Sequence, residues 1–180
     1  MKRYSFKIAG CYDTETTTIE DGPDSVAFPI LFICSDLEDV SLESYDATEE
    51  VHMFRNERDF QRWIEDKVTW GIANDTVPII CAYNLMFDLQ PVTYSLNQRY
   101  SIVANAQSST HVYTLDLTIR GRILLRFWDT FHLEMRGLAA MGDTCGVEKA
   151  MGDWDYKLIR TPDTPLTEEE LFYAKRDVQV

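Results

Sequence analysis

The stretch YDTETTT, Tyr12 to Thr18, sets two carboxylates one residue apart, Asp13 and Glu15, behind an apolar approach that includes Ile8, Ala9 and Cys11. Side chains alternate along a strand, so both acids would leave the same face. Like charges that close repel, and water, a basic partner or a divalent ion must offset them. A third acid, Asp88, follows Asn84 by four residues in CAYNLMFDLQ. If Asn84 caps a helix, Asp88 falls in its first turn, where the helix dipole favours negative charge. The fourth is Asp177 in FYAKRD, an i, i+4 neighbour of Tyr173 on one helix face, with Leu171, Ala174 and Val178 marking the buried face.

Four carboxylates, Asp13, Glu15, Asp88 and Asp177, form an all-oxygen ligand set, which selects hard divalent ions such as Mg2+ or Mn2+ over zinc. Two such ions about 3.5 to 4 Å apart can clamp the attacking and leaving oxygens of a phosphodiester. Each element alone has a plainer reading: a solvated strand edge, a helix cap, a core tyrosine beside a solvated acid. Their joint occurrence, in this order and each on the element type required, points to a metal site.

The elements that must hold these acids follow from pattern. Ile8 to Thr17 and Phe28 to Leu37 read as a hairpin turned at Gly22 to Asp24. Phe60, Trp63, Ile64 and Val68 recur at helical spacing, with Asn56 placed to cap. Val77 to Tyr83 is a short unbroken apolar run, the pattern of a strand buried on both faces. HVYTLDLTI and ILLRFWDT flank Arg120, Gly121 and Arg122, a second hairpin turn. Thr167 with Glu170 predicts a capping box, and Leu166 with Leu171 a hydrophobic staple, at the start of a terminal helix. Pro91 predicts that the helix after Asn84 is short or kinked. The result is a single α/β domain over residues 1–180 with a mixed sheet.

Composition narrows the chemistry. The chain has 180 residues, 45% of them hydrophobic, and a formal net charge of -13, which argues against a long basic track for nucleic acid. Acids crowd the first third of the chain, whereas charges are balanced from residue 116 to 160, where nucleic-acid contact is expected. The four cysteines (Cys11, Cys34, Cys81, Cys145) lack CxxC pairing and suit reduced thiols in a cytoplasmic protein. No apolar run is long enough to cross a bilayer, and no signal peptide is evident at the N-terminus, so no membrane partner is expected. His52, His111 and His132 are dispersed without zinc spacing and read as surface or structural residues. GxSxG, P-loop and GxGxxG motifs are absent.

DTETTT, YNLMFD and YAKRD, with GDWDY (Gly152 to Tyr156) between the last two, resemble the 3'-5' exonuclease domain of family B DNA polymerases, specifically the protein-primed polymerases of small tailed bacteriophages. The resemblance implies a ribonuclease-H-like fold: a mixed sheet of about five strands flanked by helices, carrying a four-carboxylate (DEDD) site of the tyrosine type. It implies that Asp13 bridges two Mg2+ or Mn2+ ions, that Glu15 and Asp177 complete the site, that Asp88 reaches the second ion and that Tyr173 orients the attacking water. It implies a single-stranded DNA 3' end as substrate, held by Thr16, Asn84 and Phe87, with Thr130 and Phe131 as further candidates. Phe87 and Phe131 read equally as stacking or core residues. Tyr83, also in the contact set, stands where relatives often carry histidine. Met151 stands where those relatives commonly have a lysine near the scissile phosphate, so either Lys149 or Lys157 replaces it or the domain works without that cation and cuts more slowly. No YxDTD polymerase motif is present, so the resemblance implies a polymerase domain or subunit as partner. A standalone nuclease on short DNA or RNA, and a degenerate binding domain, are the alternatives.

Overall fold

Residues 4–21, 24–37, 51–109, 111–147, 149–150, 154–155 and 158–180 are described by the computed structural model. The strand carrying Asp13 and Glu15 is longer than its alternation predicts: β1 spans Phe6–Asp21. β2 (Asp24–Asp36) returns antiparallel, with Asp13 opposite Ile33 and Glu15 opposite Leu31. Of the turn between them, Gly22 and Pro23 lie outside the described residues. There follow β3 (Val51–Phe54), α1 (Glu57–Ala73), β4 (Val77–Ala82) and α2 (Leu85–Leu96). Next come β5 (Ser101–Ser108), β6 (His111–Ile119), β7 (Arg122–Asp129), α3 (Phe131–Glu134), α4 (Leu138–Cys145) and α5 (Glu168–Asp177).

Among the described residues the strands form one mixed, seven-stranded sheet in the order β3-β2-β1-β4-β7-β6-β5. β4 is parallel to both β1 and β7, and the other pairs are antiparallel. The expected sheet of about five strands corresponds to β3-β2-β1-β4-β7, and β6 and β5 extend it at one edge. The predicted second hairpin is β6-β7, turned by Arg120 (φ 50) and Gly121 (φ 76). Two successive positive φ values make the turn whose twist matches the strands it joins.

Local signals at the helix starts hold. Asn56 Oδ1 accepts from the Asp59 N–H at 3.0 Å at the head of α1. At α5 the capping box is reciprocal: Glu170 N–H donates to Thr167 Oγ1 (3.1 Å), and Thr167 N–H donates to Glu170 Oε2 (2.9 Å). Pro91 lies inside α2, which runs five residues beyond it.

The two faces of the sheet are covered differently. On one, Tyr12, Phe32, Ile80, Leu117 and Phe127 pack against Phe60, Trp63 and Ile64 of α1 and Leu85, Leu89 and Val92 of α2. On the other, Leu31 and Ile33 pack against Ala174 and Val178 at α5. Residues opposite one another in a ladder share a face, so Asp13 and Glu15 project to the α5 side with Ile33 and Leu31. Asp36, at the end of β2, ties that strand to α1: it accepts from Trp63 Nε1 at 2.7 Å and pairs with buried Lys67 at 2.7 Å.

The approach to the site is set at Gly10, where β1 shifts register against β4. A Cβ at Gly10 would lie 2.3 Å from the Ser35 carbonyl oxygen and 3.2 Å from the Trp63 ring, so β1 would have to move. Overpacking of this kind costs about 1 to 3 kcal/mol. Gly10→Ala is therefore expected to lower the melting temperature and weaken divalent-ion binding together. Gly137→Ala, whose Cβ meets no atom within 4 Å, should do neither, and calorimetry of the two variants checks the contrast.

Candidate active site

β1 and α5 bring three acids together. Asp13, Glu15 and Asp177 each offer a carboxylate oxygen within 4.8 Å of the others. Glu15 is 3% exposed, and Asp177 Oδ1 is buried with no hydrogen-bond partner among the described residues. Asp88, in the first turn of α2 and 2% exposed, stands outside this triad but is hydrogen-bonded to Asp13. Tyr173 sits one turn before Asp177 on α5 and hydrogen-bonds to it. The four sequence-predicted carboxylates and the tyrosine thus converge.

α2 is held in place by a residue that the sequence pattern did not single out. Asn84 does not cap the helix with its side chain: it adopts a left-handed conformation (φ 62, ψ 52) and makes no side-chain cap bond. Asparagine tolerates that conformation, and its exposed side chain lines the cleft instead. The cap comes from the end of β7. Buried Asp129 accepts from the Asn84 N–H (3.1 Å), the Leu85 N–H (3.3 Å) and the Phe131 N–H (2.9 Å). The first turn of α2 is also bolted to β1, because the Asp88 carbonyl accepts from the Tyr12 hydroxyl at 2.9 Å. An acid closing a strand just before a helix start was the available signal for Asp129; its target in another element was not.

Crowding dominates the electrostatics. Burial, then the Asp177 charge, pushes Asp13 up to about 6. Burial, then Asp13 and Asp177, pushes Glu15 up to about 8. Burial and the neighbouring Asp13 hold Asp88 well above the usual carboxylate range. Asp177 is raised by burial, against the lowering effect of Lys149 and Tyr173. Lys149 Nζ lies 3.3 Å from Asp177 Oδ2 and 5.5 Å from the centroid of the Tyr173 ring. Met151 and Lys157 lie outside the described residues. Arg160, 3% exposed and missed by sequence reasoning, joins β1 to the start of α5. Its N–H donates to Thr17 Oγ1 (3.0 Å), its guanidinium pairs with Glu170, and its charge lowers the Glu15 pKa.

The acids line a cleft of about 420 Å³, shared with Tyr83, Asn84, Phe87 and Lys149. Phe87 is 52% exposed at its mouth. Phe131 is not among the lining residues but meets the Tyr83 ring edge-on at 5.6 Å. Thr16 is buried away from the cleft, and the Thr130 hydroxyl is engaged by the Ala82 carbonyl at 3.1 Å. An all-oxygen donor set, an unpartnered buried carboxylate oxygen and mutual repulsion suit a hard divalent cation.

This architecture has counterparts among solved structures. phi29 DNA polymerase complexed with primer-template DNA and incoming nucleotide substrates matches 99% of this chain at TM-score 0.71 and 16% identity. phi29 DNA polymerase complexed with single-stranded DNA matches 95% of it at TM-score 0.69 and 18% identity. This chain has the fold of part of phi29 DNA polymerase. It spans about 30% of the phi29 polymerase chain in both comparisons. No protein-family profile matches it, and no curated protein does. At this identity the likeness to phi29 polymerase establishes the α/β fold, a mixed sheet flanked by helices.

The raised pKa values have a definite sign. A carboxylate whose pKa is higher folded than unfolded contributes stability that is fully present below the unfolded value, about 3.9 for Asp and 4.3 for Glu. That contribution is lost as pH rises through the folded value, about 6 for Asp13 and about 8 for Glu15. In EDTA the melting temperature is therefore expected to fall from pH 5 to pH 8.5. Mn2+ should restore it most at the alkaline end, and Asp13→Asn with Glu15→Gln should flatten the slope. A metal-free protein equally stable across that range would contradict the site's electrostatics.

Proposed function

We propose that this chain is a metal-dependent 3'-5' exonuclease domain that removes nucleotides from single-stranded DNA ends, as the proofreading part of a protein-primed DNA polymerase. The observation that carries the reading is the meeting of Asp13 and Glu15 from β1 with Asp177 from α5, their oxygens within 4.8 Å, beside Asp88 bonded to Asp13. Similarity over 99% of the chain to a polymerase solved with DNA supports it.

In this reading Asp13, Glu15, Asp88 and Asp177 would hold two Mg2+ or Mn2+ ions. Bound there, the ions would polarise the phosphodiester and offset charge on its attacking and leaving oxygens. The protein's own groups do the rest. Tyr173, its hydroxyl bonded to Asp177, orients the attacking water. Lys149 replaces the lysine missing at Met151: its ammonium beside Asp177 faces the cleft and stabilises charge as the bond breaks. The exposed Asn84 amide and Phe87 ring receive the terminal nucleotide, by hydrogen bond and by stacking, with Tyr83 and Phe131 behind them. Neither Thr16 nor Thr130 lines the cleft, and the Thr130 hydroxyl donates to the Ala82 carbonyl at the end of β4. With a net charge of -13, the domain depends on a basic DNA channel supplied by a polymerase partner.

Degradation of 5'-labelled single-stranded DNA tests this reading. Products should shorten from the 3' end with Mg2+ or Mn2+ and not with EDTA. Asp13→Ala with Glu15→Ala should abolish the reaction, and Asp177→Ala should slow it more than Tyr173→Phe does. Lys149→Ala should slow it by about 10-fold or more. An undiminished rate in the purified double variant would remove the proposed metal site. A ladder on RNA but not DNA would favour the standalone nuclease, and an inert protein that still binds the strand would favour a degenerate binding domain.

A further inference from the structure

Two thiols face each other beside the carboxylates without entering the proposed chemistry. In the parallel ladder of β1 and β4, Cys11 stands directly opposite Cys81. In-register neighbours on adjacent strands share a face of the sheet, and these two side chains are hydrogen-bonded to each other. Cys11 packs against the cluster of Leu31, Ile33, Ala174 and Val178, so the pair lies on the α5 side, where Asp13 and Glu15 also project. Both cysteines are half-buried and unbridged. Neighbouring strands lie about 4.8 Å apart, inside the range of about 4.4 to 6.8 Å between Cα atoms that a disulfide spans.

Cys34 is placed out of reach of this pair. It is buried opposite Tyr12 in the β1-β2 ladder and belongs to the core on the other side of the sheet. Each member of the facing pair leads into the site: Asp13 follows Cys11 by two residues on β1, and Tyr83 and Asn84 follow Cys81 at the end of β4. The cluster that Cys11 touches includes Ala174 and Val178, from the same segment as Asp177. A covalent link between these thiols would therefore act on the strand and helix whose acids must meet within 4.8 Å.

We propose that Cys11 and Cys81 are an oxidative modification site, closing a reversible cross-strand disulfide that weakens divalent-ion binding at the adjacent carboxylates. The proposal rests on the metal-dependent reading and adds a control to it. The oxidant is a peroxide. One sulfur attacks a peroxide oxygen, the O–O bond breaks, and that cysteine becomes a sulfenic acid as water leaves. The second sulfur attacks the first, the S–O bond breaks and another water leaves. Two thiols and one peroxide thus give one disulfide and two waters, each sulfur giving up one electron and each thiol its proton. Exchange with a small dithiol reverses the step. In reducing compartments disulfides of this kind are typically transient and redox-sensing.

Peptide mass mapping of the reduced protein, treated with a small excess of hydrogen peroxide and then alkylated, tests the bridge. The expected product links the peptides of Cys11 and Cys81, leaves Cys34 to be alkylated only after unfolding, and reverts with dithiothreitol. Titration of Mn2+ into the same samples is expected to show binding weakened about 10-fold by oxidation, the scale on which groups around metal ligands act. Cys81→Ser should bind Mn2+ as the reduced protein does and be insensitive to peroxide, with Cys81→Ala repeating the measurement if the serine variant melts low. Absence of the linked peptide, including a link through Cys145 in its place, would overturn the proposal and leave the exonuclease reading standing. So would a bridge that leaves Mn2+ affinity unchanged. Mn2+ bound in neither redox state would overturn the exonuclease reading, and the proposal with it.

Discussion

Four carboxylates gathered from three elements repel one another, and much of the surrounding structure exists to keep them together. Asp13 and Glu15 leave one face of β1, Asp177 comes down from α5 and Asp88 is fixed at the head of α2. Without a cation, burial and repulsion favour keeping protons on the site, which is why Asp13 is raised to about 6 and Glu15 to about 8. Lys149 and Arg160 offset part of the negative charge. In the proposed reading, the remainder is what would favour binding of a divalent ion.

The supports are rigid because they are covalently remote and mutually locked. Asp129 carries the N-terminus of α2 from the end of β7, so the position of Asp88 depends on a strand more than forty residues away. Tyr12 reaches the carbonyl of the same Asp88 from the opposite face of the strand that bears Asp13. Arg160 binds Thr17 of β1 and Glu170 of α5, and through them the two elements whose acids meet. Buried groups satisfied across elements in this way hold one geometry, which is what closely spaced like charges require.

The elements bearing the acids were legible because their signals are local. Alternation around Asp13, the unbroken apolar run of β4 and the Thr167 to Glu170 box each specify their element within a few residues. β5 and β3 were not predicted. β5 is almost wholly exposed, so its apolar residues show no alternation to read, and β3 has only four residues. Asn84 after a strand reads as a cap because asparagine commonly caps, yet here the backbone turns left-handed and Asp129 takes that role. Likewise, no spacing rule brings His111 to His132: they meet because β6 pairs antiparallel with β7, a fact of topology.

The central claim is that the site holds protons that a metal must displace. Titration calorimetry of Mn2+ into the protein at pH 7, in PIPES and in imidazole, measures this directly, because any proton released is taken up by buffers of different ionisation enthalpy. The account predicts about two ions bound per chain and at least one proton released, chiefly from Glu15, with both signals lost in Asp13→Ala with Glu15→Ala. Identical heats in the two buffers, or unchanged binding in the double variant, would contradict it.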